Sequence, residues 1–247
     1  VLIEQAAYGN RWRAVTPSAK GVFALGGFVA AFLAGRPSLA FTVAGLFMLV
    51  TVFGAGVAPL RYLRVFAPAL SFLAVGSLSL AFTLGVDASG GIAVGLLPNG
   101  QQVIAQVAGR SAAALTALLF LVLTTPLPDL MALLRRLKCP ETLLELMVLC
   151  YRMLFVFSAA LVDTQSAQAA RLGYSTPRLA LRSLGSLVAN LTVQIWQRAS
   201  DLHVAAQARN NDGPLRFLPA EFANVRRDLS IAAVGAITLV LFSIVMP

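Results

Sequence analysis

Two arginines, Arg171 and Arg209, end matching runs of small and amide side chains: Ala167-Gln168-Ala169-Ala170-Arg171 and Ala205-Ala206-Gln207-Ala208-Arg209. A guanidinium standing above alanines on a helix is a charged knob on a smooth surface. Its planar fork can pair bidentately with a carboxylate. The chemistry this arrangement suits is docking into a groove on a soluble partner. Asp163 and Asp201 each lie eight residues before an Arg, roughly 12 Å along a helix and beyond direct salt-bridge reach. Gly173 follows the first motif and, less closely, Gly213 the second. Ordinary helix capping also places Arg in a last turn with Gly or Asn beyond it. Recurrence at a spacing of 38 residues argues for more than capping.

The elements that carry these motifs belong to a membrane-like chain. Of its 247 residues 58% are hydrophobic and 12% charged, with a mean hydropathy of +0.81. A soluble domain carries about 25% charged residues. The net charge of +9 sits in clusters beside apolar runs, which is the positive-inside pattern. Basic and aromatic residues do not interleave, so no nucleic acid is expected as a partner. Cys139 and Cys150 form no ligand or disulfide framework, and His203 is the single histidine. A metal site needs several converging ligands, so none is expected in this chain. His203 reads as a partly exposed helix residue.

Apolar runs fall at about 21–34, 38–56, 66–86, 102–123 and 229–246. About 20 residues cross a bilayer core, and the short first run is read as a span that extends into its flanks. Arg11, Arg13 and Lys20 precede it, Arg61 and Arg64 follow the second run, and Arg135, Arg136 and Lys138 follow the fourth. The loop 87–101 has Asp87 and no Lys or Arg. This places the N-terminus inside and the C-terminus outside. The run 143–161 is long enough to cross but carries Glu145 and Arg152. An Arg at mid-bilayer costs about 2.5–3.5 kcal/mol, so the run is read as a helix on the cytoplasmic side.

The expected organisation is an all-α integral membrane protein of about five transmembrane helices plus cytoplasmic coupling helices. Residues 1–20 form an N-terminal cytoplasmic segment and 21–123 a four-span region. Residues 124–228 hold the coupling helices and 229–247 the last span. Helices are expected from Pro128 to about Lys138, from Glu141 to Leu172 with Gly173 as cap, and from Pro177 to Arg209. The stop signal after the last is Asn210-Asn211-Asp212-Gly213-Pro214. Within span four, Arg110 is an intramembrane charge with a functional or pairing role. Gly109, Ala113 and Ala117 line one smooth face for close helix packing, internal or with a partner subunit.

Several of these stretches resemble a known family. Tyr8-Gly9-Asn10-Arg11-Trp12-Arg13 with Pro17-Ser18-Ala19-Lys20 looks like the start of the cobalt-type T component of energy-coupling factor (ECF) transporters, the CbiQ family. Thr125-Pro126-Leu127-Pro128-Asp129-Leu130, Leu134-Arg135-Arg136-Leu137, Leu144-Glu145-Leu146 and Tyr151-Arg152 continue the resemblance. So do Ala170-Arg171-Leu172-Gly173-Tyr174 and Ala206-Gln207-Ala208-Arg209.

The resemblance implies roles. In this family two cytoplasmic coupling helices end in Ala-Arg-Gly-like motifs, and each Arg enters a groove of one ATP-binding-cassette subunit. By that match Ala170, Arg171 and Gly173 form one coupling site, and Ala208, Arg209 and Asn210 the other. Leu172 separates Arg171 from Gly173, and Asn210 replaces the second glycine, which departs from the family pattern. The implied partners are ABC-type ATPase subunits, a metal-binding membrane S component, a small accessory membrane subunit and the lipid bilayer. ATP and magnesium belong to the ATPase subunits. The chain has no Walker A motif, so it is expected to be non-catalytic. The implied setting is the bacterial inner membrane, and the cargo divalent cobalt or nickel. A vitamin-type T component and a conventional ABC permease remain as alternatives. An intramembrane enzyme would need paired catalytic groups within the spans, which the sequence does not supply.

Overall fold

The computed structural model describes residues 2–80, 82–86, 92–96, 100–210, 222 and 224–245. These residues are almost wholly helical: α1 (Leu2–Gly9), α2 (Pro17–Leu33), α3 (Pro37–Leu49), α4 (Pro59–Ser79), α5 (Gly100–Thr124), α6 (Leu127–Arg136), α7 (Glu141–Ala170), α8 (Pro177–Ala208) and α9 (Val225–Val245). A 3-10 turn at Arg11–Ala14 leads into α2, and a π-helical turn at Val50–Gly54 extends α3. Prolines 17, 37, 59 and 177 each open a helix. Proline suits the first turn because its missing N–H has no partner to lose there.

Five helices are long and apolar enough to cross a bilayer: α3 with its extension (Pro37–Gly54), α4, α5, α7 and α9. The protein is a multi-pass, all-α membrane protein. Two elements differ from the sequence reading. The third span begins at Pro59 and ends at Ser79, so Arg61 and Arg64 lie in its first turns. Beyond it, β1 (Phe82–Val86) pairs antiparallel with β2 (Ile92–Leu96), Phe82 facing Leu96 and Val86 facing Ile92. The run Phe82–Val86 is apolar enough to read as more helix, but its register is that of a small hairpin. The second difference is that α7 qualifies by length and composition whereas α2, at 17 residues, is among the shorter apolar helices. Asp87 and the stop-signal residues 211–214 lie outside the described residues.

The chain divides into two compact units, Val1–Leu133 with Pro219–Pro247, and Leu134–Leu218. The first is packed through small residues. A Cβ at Gly26 would overlap Ala236 of α9, and one at Gly27 would overlap the Phe47 ring of α3. Ser243 Oγ donates to Ala30 O at 2.7 Å, tying α9 to α2. Lipid tails are as apolar as the helices, so close packing and such interhelical hydrogen bonds supply the association. The core joins Ala24, Ala30, Ala31, Val43, Ala44 and Phe47 to Ala112, Ala113, Ala117 and Phe120 of α5. Phe47 and Phe23 each meet Phe120 edge-on, with centroids 5.7 and 5.5 Å apart.

The second unit is a long helical pair, α7 and α8, joined by the turn 171–176. Thr176 caps α8, its Oγ1 accepting from Leu179 N at 3.3 Å. Of the two helices only Leu144, Val148 and Leu187 are fully buried. Much apolar surface therefore stands exposed, including Leu154 and Trp196.

Candidate functional site

The two motif arginines occupy the same backbone position. Arg171 is the C-cap of α7 with φ −90° and ψ 15°. Arg209 is the C-cap of α8 with φ −96° and ψ 8°. The residue after each is left-handed, Leu172 at φ 58° and Asn210 at φ 50°. The amide N–H of Leu172 donates to Ala169 O at 3.0 Å, and that of Asn210 to Gln207 O at 2.9 Å. These bonds satisfy carbonyls that a helix end leaves open. Gly173 N–H then donates to Gln168 O at 2.9 Å, which completes a Schellman ending on α7. Lys138, at φ 60°, ends α6 in the same way, with Cys139 N–H donating to Leu134 O at 3.2 Å.

The left-handed residue that follows the C-cap of α7 is thus Leu172, one place before the glycine expected from the sequence. Gly173 serves close approach. A Cβ there would stand 2.6 Å from Ser183 Oγ and 2.9 Å from Gln168 O. Ser183 Oγ donates to Gly173 O at 2.9 Å, Gln168 Nε2 donates to Ser183 O at 3.0 Å, and Tyr174 OH donates to Gln168 Oε1 at 2.7 Å. The turn that bears Arg171 is therefore clamped to α8. Ala170, Arg171, Ala208, Arg209 and Asn210 are all exposed, and Gly173 is half-buried. Alpha8 has 32 residues, so it spans about 48 Å at 1.5 Å per residue. Arg171 stands just before its start and Arg209 just past its end. The motifs are brought to opposite ends of one rigid element, too far apart to share one groove.

Arg110 has a local role. Its Nη2 donates to Ala34 O at 3.1 Å, and Gln106 Nε2 donates to Gly35 O at 3.3 Å. Both satisfy carbonyls just past the end of α2, where a cation also favours the helix dipole. Gly109 lies against α3, where an added Cβ would sit 3.1 Å from Ala40 Cβ and 3.2 Å from Pro37 O. Ala113 and Ala117 are in the core. This smooth face is used inside the chain.

Sequence reasoning missed a polar anchor in the first unit. Asn10 Nδ2 donates to Ala7 O at 2.7 Å and Thr124 O at 3.1 Å, and lies 3.4 Å from Leu123 O. Lys20, only 3% exposed, donates from Nζ to Thr124 O at 2.8 Å. Thr16 N–H donates to Asp228 Oδ2 at 3.2 Å, and the Arg13 guanidinium stacks 4.4 Å from the Tyr8 ring centroid. Asn10 and Lys20 thus pair the last carbonyls of α5, where Pro126 and Pro128 follow. Burial pushes the Asp129 carboxyl above the usual carboxylate range, and the nearby Arg13 and Lys20 charges pull it back. The signal for this anchor was the pair of polar stretches at 8–20 and 125–129, whose convergence only the fold shows.

Among the described residues, no three His, Cys, Asp or Glu side chains gather as a metal-ligand set. His203 is exposed on α8.

Five helices long and apolar enough to span, with a second unit built on the helical pair α7 and α8, define a multi-pass all-α membrane protein. The model of the cobalt transport protein family CbiQ matches residues 9–217, and the chain belongs to that family. A cobalt transport protein CbiQ from Rhodobacter capsulatus is 34% identical over 217 residues, 87% of this chain and 86% of its own. The Salmonella typhimurium CbiQ is 28% identical, covering 79% of this chain and 90% of its own. A putative fused cobalt transport protein CbiMQ from Methanocorpusculum labreanum is 26% identical, covering 98% of this chain and 41% of its own.

Proposed function

We propose that this chain is the T component of an ECF-type importer for divalent cobalt or nickel, passing ATP-driven motion from two ATPase subunits to a separate metal-binding membrane subunit. The observation that carries this reading is the placement of Arg171 and Arg209 in the same cap conformation at opposite ends of α8. Two equivalent knobs at the two ends of a helix about 48 Å long suit two copies of one partner. A rigid helix linking them transmits closure of that pair as a single displacement, which is the two-state element such coupling requires. The fused CbiMQ relative supports a second transport component held close to this one. In this reading 163–228 faces the cytoplasm, the N-terminus is inside, the C-terminus is outside, and α7 lies on the cytoplasmic side of the inner membrane. ATP and magnesium act in the ATPase subunits.

The test is co-purification of the tagged chain with its ATPase subunits, in wild type and in Arg171→Glu with Arg209→Glu. Charge reversal replaces attraction with repulsion. Loss of the ATPase from a folded, membrane-inserted variant is the expected result. Unchanged co-purification would reduce both arginines to helix caps.

A further inference from the structure

A groove of about 1050 Å³ runs between the middle of α7 and the last half of α8. Its floor is apolar, with Met153 and Phe157 from α7 and Ile195 and Leu202 from α8. Arg152 and Arg198 line it from the two helices, and Arg209 lies at its far end. No acidic side chain among the described residues lines it. Neither Arg152 nor Arg198 has a hydrogen-bond or ion-pair partner among the described residues. Among the described residues, the groove thus joins a hydrocarbon-lined slot to arginines with no paired carboxylate.

We infer that this groove binds one anionic phospholipid, its acyl chain along Met153, Phe157, Ile195 and Leu202 and its phosphate between Arg152 and Arg198. Charge complementarity selects this occupant. Arginine binds phosphate bidentately, and the cytoplasmic leaflet is rich in anionic headgroups that attract such residues. An apolar chain and an anionic head on one molecule match both halves of the lining. The exposed Trp196, one residue from Ile195, is a side chain enriched at headgroup depth. Arg152 at that depth escapes the cost of a mid-bilayer charge. A membrane-plane helix with Arg on one side and apolar residues on the other is the ordinary interfacial arrangement. The inference rests on the cytoplasmic placement of α7 in the reading above; Arg171 and Arg209 are left intact in every variant below, so its failure is distinguishable from failure of the coupling role.

The full-length chain in detergent is incubated with phosphatidylglycerol or phosphatidylcholine of matched acyl chains, and bound lipid is counted by native mass spectrometry. Wild type is expected to prefer phosphatidylglycerol by about thirtyfold, the contribution of two interfacial arginines. Arg152→Gln with Arg198→Gln is expected to lose the preference. Leu202→Trp, which fills the floor and leaves the charges, is expected to lose retention of both lipids. Equal retention of the two lipids by wild type, or a preference that survives in the folded double variant, would overturn the inference. So would displacement of the lipid by glycerol phosphate at equal concentration. In the assembled transporter, a photo-crosslinker at Met153 that captured another subunit in place of lipid would overturn it too. Should the double variant not fold, wild type and Leu202→Trp decide.

Discussion

Arg171 and Arg209 end two different helices in one conformation, each in the C-cap and each followed by a left-handed residue, Leu172 or Asn210. The equivalence is one of backbone, not of sequence, since the residues that turn left-handed differ. Both arginines therefore stand exposed at a helix tip. With α8 between them, the pair has fixed spacing.

That spacing predicts that the arginines act on separate ATPase copies. Arg171→Glu alone and Arg209→Glu alone should each leave complexes with one ATPase subunit in place of two, resolved by native mass spectrometry. The double variant should leave none. Equal loss of both copies in either single variant would mean that the ATPase pair binds as one unit.

The first cap can be tested apart from its charge. Gly173→Ala places a Cβ against Gln168 O and Ser183 Oγ. A carbonyl cannot swing aside as a side-chain end can, so the turn must shift, at a cost of about 1–3 kcal/mol. Leu172→Gly relieves a left-handed leucine, a strain of about 1–2 kcal/mol, partly offset by glycine's greater freedom in the unfolded chain. Thermal unfolding should therefore fall for Gly173→Ala and hold or rise for Leu172→Gly. Transport should follow Gly173→Ala downward, because Arg171 sits on the displaced turn.

The apolar helices α3, α4, α5 and α9 and the repeat of the arginine motif were legible in the sequence because both are local, whereas α7, despite Glu145 and Arg152, qualifies by length and composition as a span and the short α2 does not. Apolar runs about 20 residues long announce a bilayer, and a motif repeated with its alanines is visible without a fold. Other features depended on partners far along the chain. Gly173 looked like the left-handed cap because glycine is the common occupant of that position. The hydrogen bond from Leu172 to Ala169 O moves the cap one residue back. Phe82–Val86 carried no polar residue to mark the end of α4 except Thr83, so the hairpin was hidden in an apolar run. Asn10 and Lys20 find their acceptors 114 and 104 residues away, a relation no periodicity encodes. Arg110 was legible as an intramembrane charge, but its acceptor, Ala34 O, was not.

The polar anchor predicts a stability effect far from either arginine motif. Lys20→Met keeps the length of a buried side chain and leaves Thr124 O with one donor fewer. Asn10→Ala removes the remaining side-chain donor. Each should cost about 1–3 kcal/mol for a buried carbonyl left under-satisfied, seen as a lower unfolding temperature in detergent. If the pair acts on one carbonyl, the double variant should depart from the sum of the single effects. Strict additivity would mean that the two donors support separate parts of the fold.

Asp129 gives the anchor a pH dependence of defined sign. Its carboxyl is raised above 3.8 chiefly by burial, with Arg13 and Lys20 opposing. The folded protein therefore holds this proton where the unfolded chain has already released it. The stability so contributed is complete below about pH 3.8 and is lost as pH rises through the higher folded value. Other carboxylates titrate in the same range, so the useful quantity is the difference in unfolding temperature between wild type and Asp129→Asn. That difference should shift steadily in favour of the variant as pH is raised through the acid range, then level off once Asp129 is ionised in both states. At neutral pH the asparagine avoids the burial of a carboxylate but gives up the attraction to Arg13 and Lys20. Burial is the larger effect, so Asp129→Asn should unfold at an equal or higher temperature than wild type there. A variant that is less stable at neutral pH, and gains stability relative to wild type on acidification, would show that the two cations dominate the site.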